Sequence, residues 1–276
     1  MSAIIPCIFA FYQFFTQTGM SIPFEGIYNR IFGTFVHPNL FAYYLIIPLT
    51  LSLFLFSITK TKKIAKIILA TIVIFLSIFL ILTYTRGAWL AFIIIITFIS
   101  ITYFKKYGKY LVMFFLIISF SYFLIEPINK RINDFIYNPY NSIHWRINLW
   151  QDSLSYVKEK LLFGHGTGMA KKLILQKRGY SFGSSDPHND YLKIALENGL
   201  LGLFSYIFLI VSLFSNLLKK FQTTKSQNTK LFSLIFLGIT VSLYIMSFAD
   251  NILRNTALEW SYWVLIGAFL APKENE

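Results

Sequence analysis

The chain has 276 residues, of which 56% are hydrophobic and only 13% charged, with a mean hydropathy of +0.60. That composition excludes an ordinary soluble domain, in which about a quarter of residues are charged, and fits a polytopic membrane protein. The net charge of +13 sits in short clusters between apolar runs, so it forms no extended basic face and excludes a nucleic-acid partner. A lone cysteine, Cys7, excludes an intrachain disulfide and any cysteine-rich metal site.

A bilayer span needs about 20 mainly apolar residues. Apolar runs cover Ser2–Thr16, Leu40–Ile58, Ile64–Tyr84, Ala88–Phe104, Tyr110–Ile125, Leu200–Leu218, Leu231–Ala249 and Leu258–Ala271. The first and last are short. Met1–Gly19 lacks the basic start and small-residue cleavage site of a signal peptide and reads as the remnant of a helix. The expected fold is an all-α transmembrane bundle of seven or eight spans. Its parts are N-terminal helices over 1–126, a large loop with short surface helices over 127–190, and C-terminal helices over 191–276.

Lysine placement orients the bundle. Lys60, Lys62, Lys63 and Lys66 share one connection, Lys105, Lys106 and Lys109 a second, and Lys219, Lys220, Lys225 and Lys230 a third. Threading the runs puts all three on one side with Lys273, and the positive-inside rule makes that side cytoplasmic. Arginines 30, 86, 131, 146, 178 and 254 and histidines 37, 144, 165 and 188 then fall on the other side. Arginine's planar fork suits phosphate better than lysine's point charge, so the segregation points to an outward-facing site for an anion.

Gly33-Thr-Phe-Val-His-Pro-Asn39 opens the second run. His37 and Asn39 there are candidates to line a cavity, against ordinary helix-entry chemistry at Pro38. Arg86, in Thr83-Tyr-Thr-Arg-Gly-Ala-Trp89, lies in a connection too short to carry it far into water. An arginine at membrane depth is costly and commonly functional, and the alternative is snorkelling to the interface.

The long polar loop has internal order. Ser142 can cap a helix running to about Lys160, with Trp145, Leu149, Trp150, Leu154 and Val157 toward one side and Arg146 upon it. The tryptophans with Lys158 and Lys160 suit a helix lying at the bilayer surface. Gly164-His-Gly-Thr-Gly168 ends it; without a following Lys-Ser/Thr or a preceding strand, this reads as a tight turn and not a phosphate loop. Asp186-Pro187 reads as cap and first residue of a short helix to Glu197, closed by Asn198-Gly199. His188 would then sit in a first helical turn, where a positive charge is disfavoured, leaving a neutral imidazole able to take a proton. The alternative is a loop histidine bonded only locally.

Two other constellations fail on spacing. His144, His165 and His188 match no compact zinc pattern. Ser184, Ser185, Asp186 and His188 are too close in sequence to form a nucleophilic triad.

These pieces resemble the O-antigen ligase and polymerase family of bacterial membrane glycosyltransferases. The resemblance rests on Gly33–Asn39, Thr85-Arg-Gly-Ala88, Trp145-Arg146 with Leu162-Phe-Gly-His-Gly-Thr-Gly168, and Pro187-His-Asn-Asp-Tyr-Leu192 with Glu197-Asn-Gly-Leu-Leu-Gly202. It implies a GT-C-like bundle in the cell membrane with its active face extracytoplasmic. It also implies a donor glycan on undecaprenyl diphosphate, transfer to a glycan or lipid acceptor hydroxyl, and no cofactor or metal. Catalytic roles then fall on His188, Arg86 and Arg146, with Asn189, Arg254, His37 and Asn39 as substrate-binding candidates. Members of the family usually carry more N-terminal spans, so a shortened, inactive relative is one alternative. A transporter or flippase of lipid-linked glycans is another.

Overall fold

The computed structural model describes residues 3–22, 27–58, 63–102, 142–178 and 186–271, with scattered helical positions at 108–109, 112–113, 115–117, 119–120, 123 and 133. Half of the run predicted over Tyr110–Ile125 lies outside the described residues. So do Ser184, Ser185, Arg131, Lys60, Lys62, Lys105, Lys106 and Lys273, and the side chain of His144.

In chain order the elements are α1 (Ile4–Thr16), β1 (Met20–Ile22), β2 (Ile27–Arg30), α2 (Pro38–Ile58), α3 (Lys63–Leu82), α4 (Arg86–Thr102), α5 (Ser142–Glu159), α6 (Met169–Arg178), α7 (Asp190–Thr223), α8 (Gln227–Met246), a 3-10 turn (Ile252–Arg254) and α9 (Thr256–Leu270). The strands form one antiparallel pair, Met20 opposite Arg30 and Ile22 opposite Ile27. The protein is thus helical apart from one small hairpin among the described residues. Among the described residues, four helices, α2, α3, α7 and α8, are long and apolar enough to cross a membrane, while α1, α4 and α9 are apolar but shorter.

The chain divides into two compact units. The first holds Met1–Ile136, Leu217–Ser242 and Asn255–Glu276. In it α2 packs against α3, α4 and α9. α2 is buried on most sides, through Phe41, Leu45, Ile46, Leu49 and Leu53. α3 instead presents Ile64, Ile67, Ile68, Phe75 and Ile78 outward, an apolar surface that a bilayer would cover. Two buried polar side chains join the irregular segments to this core. Gln13 of α1 accepts from the backbone N–H of Phe32 and Gly33 at 3.0 and 2.9 Å, and donates to the Gly33 carbonyl at 3.0 Å. Arg30, at the end of β2, is 1% exposed. It donates through Nε to the Thr83 carbonyl (2.8 Å) and through Nη2 to Asn39 Oδ1 (2.9 Å) and Thr85 Oγ1 (3.1 Å).

The second unit holds Tyr137–Asn216 and Leu243–Arg254. Its core forms where Val157 of α5, Ala170 of α6 and Ala195 and Leu196 of α7 meet, with Tyr156, Leu173, Leu192 and Leu203 around them. The buried stripe of α5 is Leu149, Ser153 and Val157, four residues apart and so on one face, whereas Leu154 is exposed. The face expected to meet the bilayer is thus largely consumed by packing. Asp152 ties α5 to the end of α6 through Arg178 Nε at 2.5 Å and Lys177 Nζ at 3.2 Å.

α7 is broken where the sequence predicts a break. Gly199 has φ 67° and ψ −167°, a conformation essentially restricted to glycine. Such a break strands backbone groups on both sides, and the turn after α5 takes them up. The carbonyls of Leu196 and Glu197 accept from the N–H of His165 and Gly166 at 2.9 and 2.8 Å. The N–H groups of Leu200 and Leu201 donate to the carbonyls of Leu161 and Leu162 at 2.8 and 3.3 Å. The two segments lie so close that a Cβ on Gly199 would stand 2.2 Å from the Leu162 carbonyl oxygen, and one on Gly164 would stand 2.5 Å from the Glu197 carbonyl.

Candidate active site

The loop into α7 is where the structure departs from the sequence reading. Helix does not begin at Pro187. It begins at Asp190, capped by Asn189, whose Oδ1 accepts from the Leu192 N–H at 3.0 Å and whose carbonyl accepts from the Lys193 N–H at 3.0 Å. His188 lies outside the helix, in the left-handed region at φ 49°. The helix-terminus argument for its charge state therefore does not apply.

A non-glycine residue in that region costs on the order of 1–3 kcal/mol and persists only where its surroundings impose it. They do so here from several directions. Trp150 Nε1 donates to the Pro187 carbonyl at 2.8 Å, holding the preceding peptide. The Asp190 N–H donates to the Ser247 carbonyl at 2.8 Å, holding the Asn189–Asp190 peptide just beyond it. The Asp190 carboxylate is buried and accepts from the N–H of Ile252 and Leu253 at 2.8 and 3.1 Å, pinning the 3-10 turn to the start of α7.

That turn follows Asp250, whose Oδ1 lies 3.2 Å from His188 Nδ1. Trp145 lies edge-on to the imidazole, ring centroids 5.6 Å apart. Burial alone would raise the Asp250 carboxyl above its ordinary range. The hydrogen bond from His188, the positive charge of Arg146 and the N–H of Asn251 outweigh it, and the net result lies below that range. A carboxylate accepting from Nδ1–H fixes the tautomer and leaves Nε2 as the basic nitrogen. Arg146 Nε is buried and makes no hydrogen bond among the described residues, so a strong donor remains beside the pair.

The other candidates fall into two groups, one in each unit. In the second unit Arg254 Nη1 donates to Asp186 Oδ2 at 2.7 Å, and Lys193 Nζ lies 3.5 Å from Asp186 Oδ1. Asn189 is the helix cap already described. His165 belongs to the turn, its Nε2 2.8 Å from the Tyr156 carbonyl oxygen. In the first unit His37 serves the entry to α2, its Nδ1 accepting from the Asn39 N–H at 3.1 Å and its carbonyl from Leu40 and Phe41. Asn39 Oδ1 is engaged by Arg30 and, at 3.3 Å, by Thr85 Oγ1. Arg86 is the first residue of α4 and is half-buried. It follows a turn in which Tyr84 also takes a left-handed conformation, at φ 51°.

Sequence reasoning missed Asp250, and it grouped Arg30 with the anion-facing arginines where the structure gives it a structural network. Asp250-Asn251 does break an apolar run, a local signal of a polar end, but the partner 62 positions away is invisible without the fold.

The chain is mostly helical, four of its described helices are long and apolar enough to cross a membrane, and its second unit holds a histidine against a carboxylate with a half-buried arginine beside them. The O-antigen ligase family model matches residues 70–207, half of the chain, and the protein belongs to that family. The match covers Arg86, Arg146, His188 and the Gly199 break; His37, Asn39, Asp250 and Arg254 lie beyond it. No curated protein matches the chain.

Proposed function

We propose that the protein transfers a glycan from undecaprenyl diphosphate to an acceptor hydroxyl during assembly of a cell-surface polysaccharide, as a ligase or a polymerase. The observation that carries this reading is the 3.2 Å contact between His188 Nδ1 and Asp250 Oδ1, with Arg146 beside it.

In this mechanism His188 Nε2 takes the proton from the acceptor hydroxyl as its oxygen attacks the anomeric carbon of the donor. The bond from that carbon to the diphosphate oxygen breaks, and undecaprenyl diphosphate leaves with the bonding pair. Asp250 orients the imidazole and offsets the charge that the proton brings. Arg146 serves the diphosphate, and Arg86, at the head of α4 in the first unit, is a further candidate for an anionic group of the substrate. Donor groups preset where charge develops stabilise the transition state more than the ground state. Asn189 and Arg254 hold the histidine loop and its rim, and contribute to substrate binding from there. His37 and Asn39 act on substrate indirectly, by setting the entry to α2.

The frame in this reading is a GT-C-like bundle of seven or eight spans, divided near residues 126 and 190. The lysine clusters, read by the positive-inside rule, support an extracytoplasmic face for the residues of the polar loop. A transfer assay in membranes, with a lipid-linked donor and an acceptor glycan, tests the assignment. His188→Ala is expected to abolish transfer at normal expression; unchanged turnover would remove the catalytic role. Movement of the lipid-linked donor across the bilayer without transfer would instead identify a flippase.

A further inference from the structure

We infer that the turn Leu161-Leu162-Phe163 is a membrane-inserting tip whose partner is the acyl-chain region of a phospholipid bilayer, just below its headgroups. It is independent of the glycan-transfer reading, requiring only that α7 crosses a membrane. These three consecutive residues are 47%, 57% and 76% exposed, although the unit has a packed core of its own close by. A run of large exposed side chains of this kind marks an interaction surface.

The backbone says what covers it. The carbonyls of Leu161 and Leu162 accept from Leu200 and Leu201, the first residues of α7 beyond the Gly199 break. From there α7 exposes Leu201, Phe204, Phe208 and Val211, spaced three and four apart and so forming one stripe. α7 is long and apolar enough to cross a membrane, and only 11% of its most apolar window is buried. Hydrogen bonds thus lock the tip against the end of a stripe that lipid covers, and the two apolar surfaces are continuous.

The flanks agree in charge. Lys158 and Lys160 precede the tip, Lys171 and Lys172 follow it on α6, and all four are exposed. Apolar residues between lysines suit a segment that lies in the headgroup layer and dips roughly 5–10 Å toward the chains, with the ammonium groups near anionic phosphates.

Site-directed spin labelling tests this. Cys7 is the chain's one cysteine, so single labels can be placed at Phe163→Cys, Leu162→Cys, Phe208→Cys and Gln176→Cys in a Cys7→Ser background. The full chain is reconstituted in vesicles of phosphatidylethanolamine and phosphatidylglycerol. Labels at 162 and 163 should be several-fold more accessible to oxygen than to a water-soluble nickel chelate, as at the lipid-facing reference 208 and opposite to exposed Gln176. Equal access of the chelate to 163 and 176 would overturn the inference. So would protection of 163 from both reagents, which would mean that protein covers the tip. Testing 162 and 163 separately guards against loss of one variant to misfolding.

Discussion

His188 Nδ1 and Asp250 Oδ1 stand 3.2 Å apart, joining the loop before α7 to the loop after α8. Asp250 does not face the acceptor in the proposed mechanism; it acts through the imidazole and is a positioning residue. Asp250→Asn keeps the volume but removes the charge that favours Nδ1–H over Nε2–H. Transfer turnover should fall on the order of 10²-fold or more, with little change in the KM for the lipid-linked donor. Asp250→Glu should recover part of the loss. A large rise in KM with normal turnover would place Asp250 in substrate binding instead.

The same contact sets an acid limit on stability. The Asp250 carboxyl is held below its ordinary value because the bond from His188 and the charge of Arg146 outweigh burial. A carboxyl lowered by folding stabilises the native state above its unfolded value, near 3.8, and that contribution is lost as pH falls through the lowered native value. The difference in melting midpoint between wild type and Asp250→Asn should therefore be constant above about pH 5 and narrow in stronger acid. A difference that stays constant throughout the acid range would show that Asp250 is not held in this contact in solution.

Gly199 and Gly168 both take positive φ, at 67° and 84°, but differ in surroundings. A Cβ at Gly168 meets nothing within 4 Å, whereas at Gly199 it would overlap the Leu162 peptide. Gly168→Ala should cost about 1–2 kcal/mol from backbone strain alone. Gly199→Ala adds a clash with backbone that cannot turn aside, so its melting midpoint in detergent should fall much further. Similar midpoints for the two variants would mean that the contact across the α7 break is not maintained.

The helices are legible in the sequence because their signals are local. Hydropathy places α2, α3, α4, α8 and α9 within a few residues, and the Asn198-Gly199 and Gly164–Gly168 punctuation marks a real break and a real turn. The motifs around those glycines also carry part of the family resemblance, and in the structure they hydrogen-bond to each other. Pro187 misleads because it satisfies the rule for a first helical residue, while the following His188 turns left-handed and Asn189 takes the cap. The hairpin over Met20–Arg30 escapes notice because its strands are three and four residues long. Arg30 illustrates the limit most clearly. The sequence groups it with arginines awaiting an anion, yet three of its partners among the described residues lie 9, 53 and 55 positions away and are neutral acceptors.

That network makes a separate prediction for the first unit. Arg30 binds the Thr83 carbonyl, Asn39 Oδ1 and Thr85 Oγ1 together, joining β2, the entry to α2 and the turn before α4. Arg30→Met fills similar volume but strands these acceptors, and a buried unsatisfied polar group costs about 1–3 kcal/mol. Arg30→Lys keeps the charge yet lacks the planar fork that spans several acceptors at once. Both should lower the melting midpoint in detergent, Arg30→Met more than Arg30→Lys, and both should reduce the yield of folded protein. Because Arg30 has no part in the proposed chemistry, whatever folded protein remains should keep near-normal turnover per molecule. Wild-type stability in Arg30→Met would show the network to be dispensable; normal stability with turnover lost would move Arg30 from the frame into the reaction.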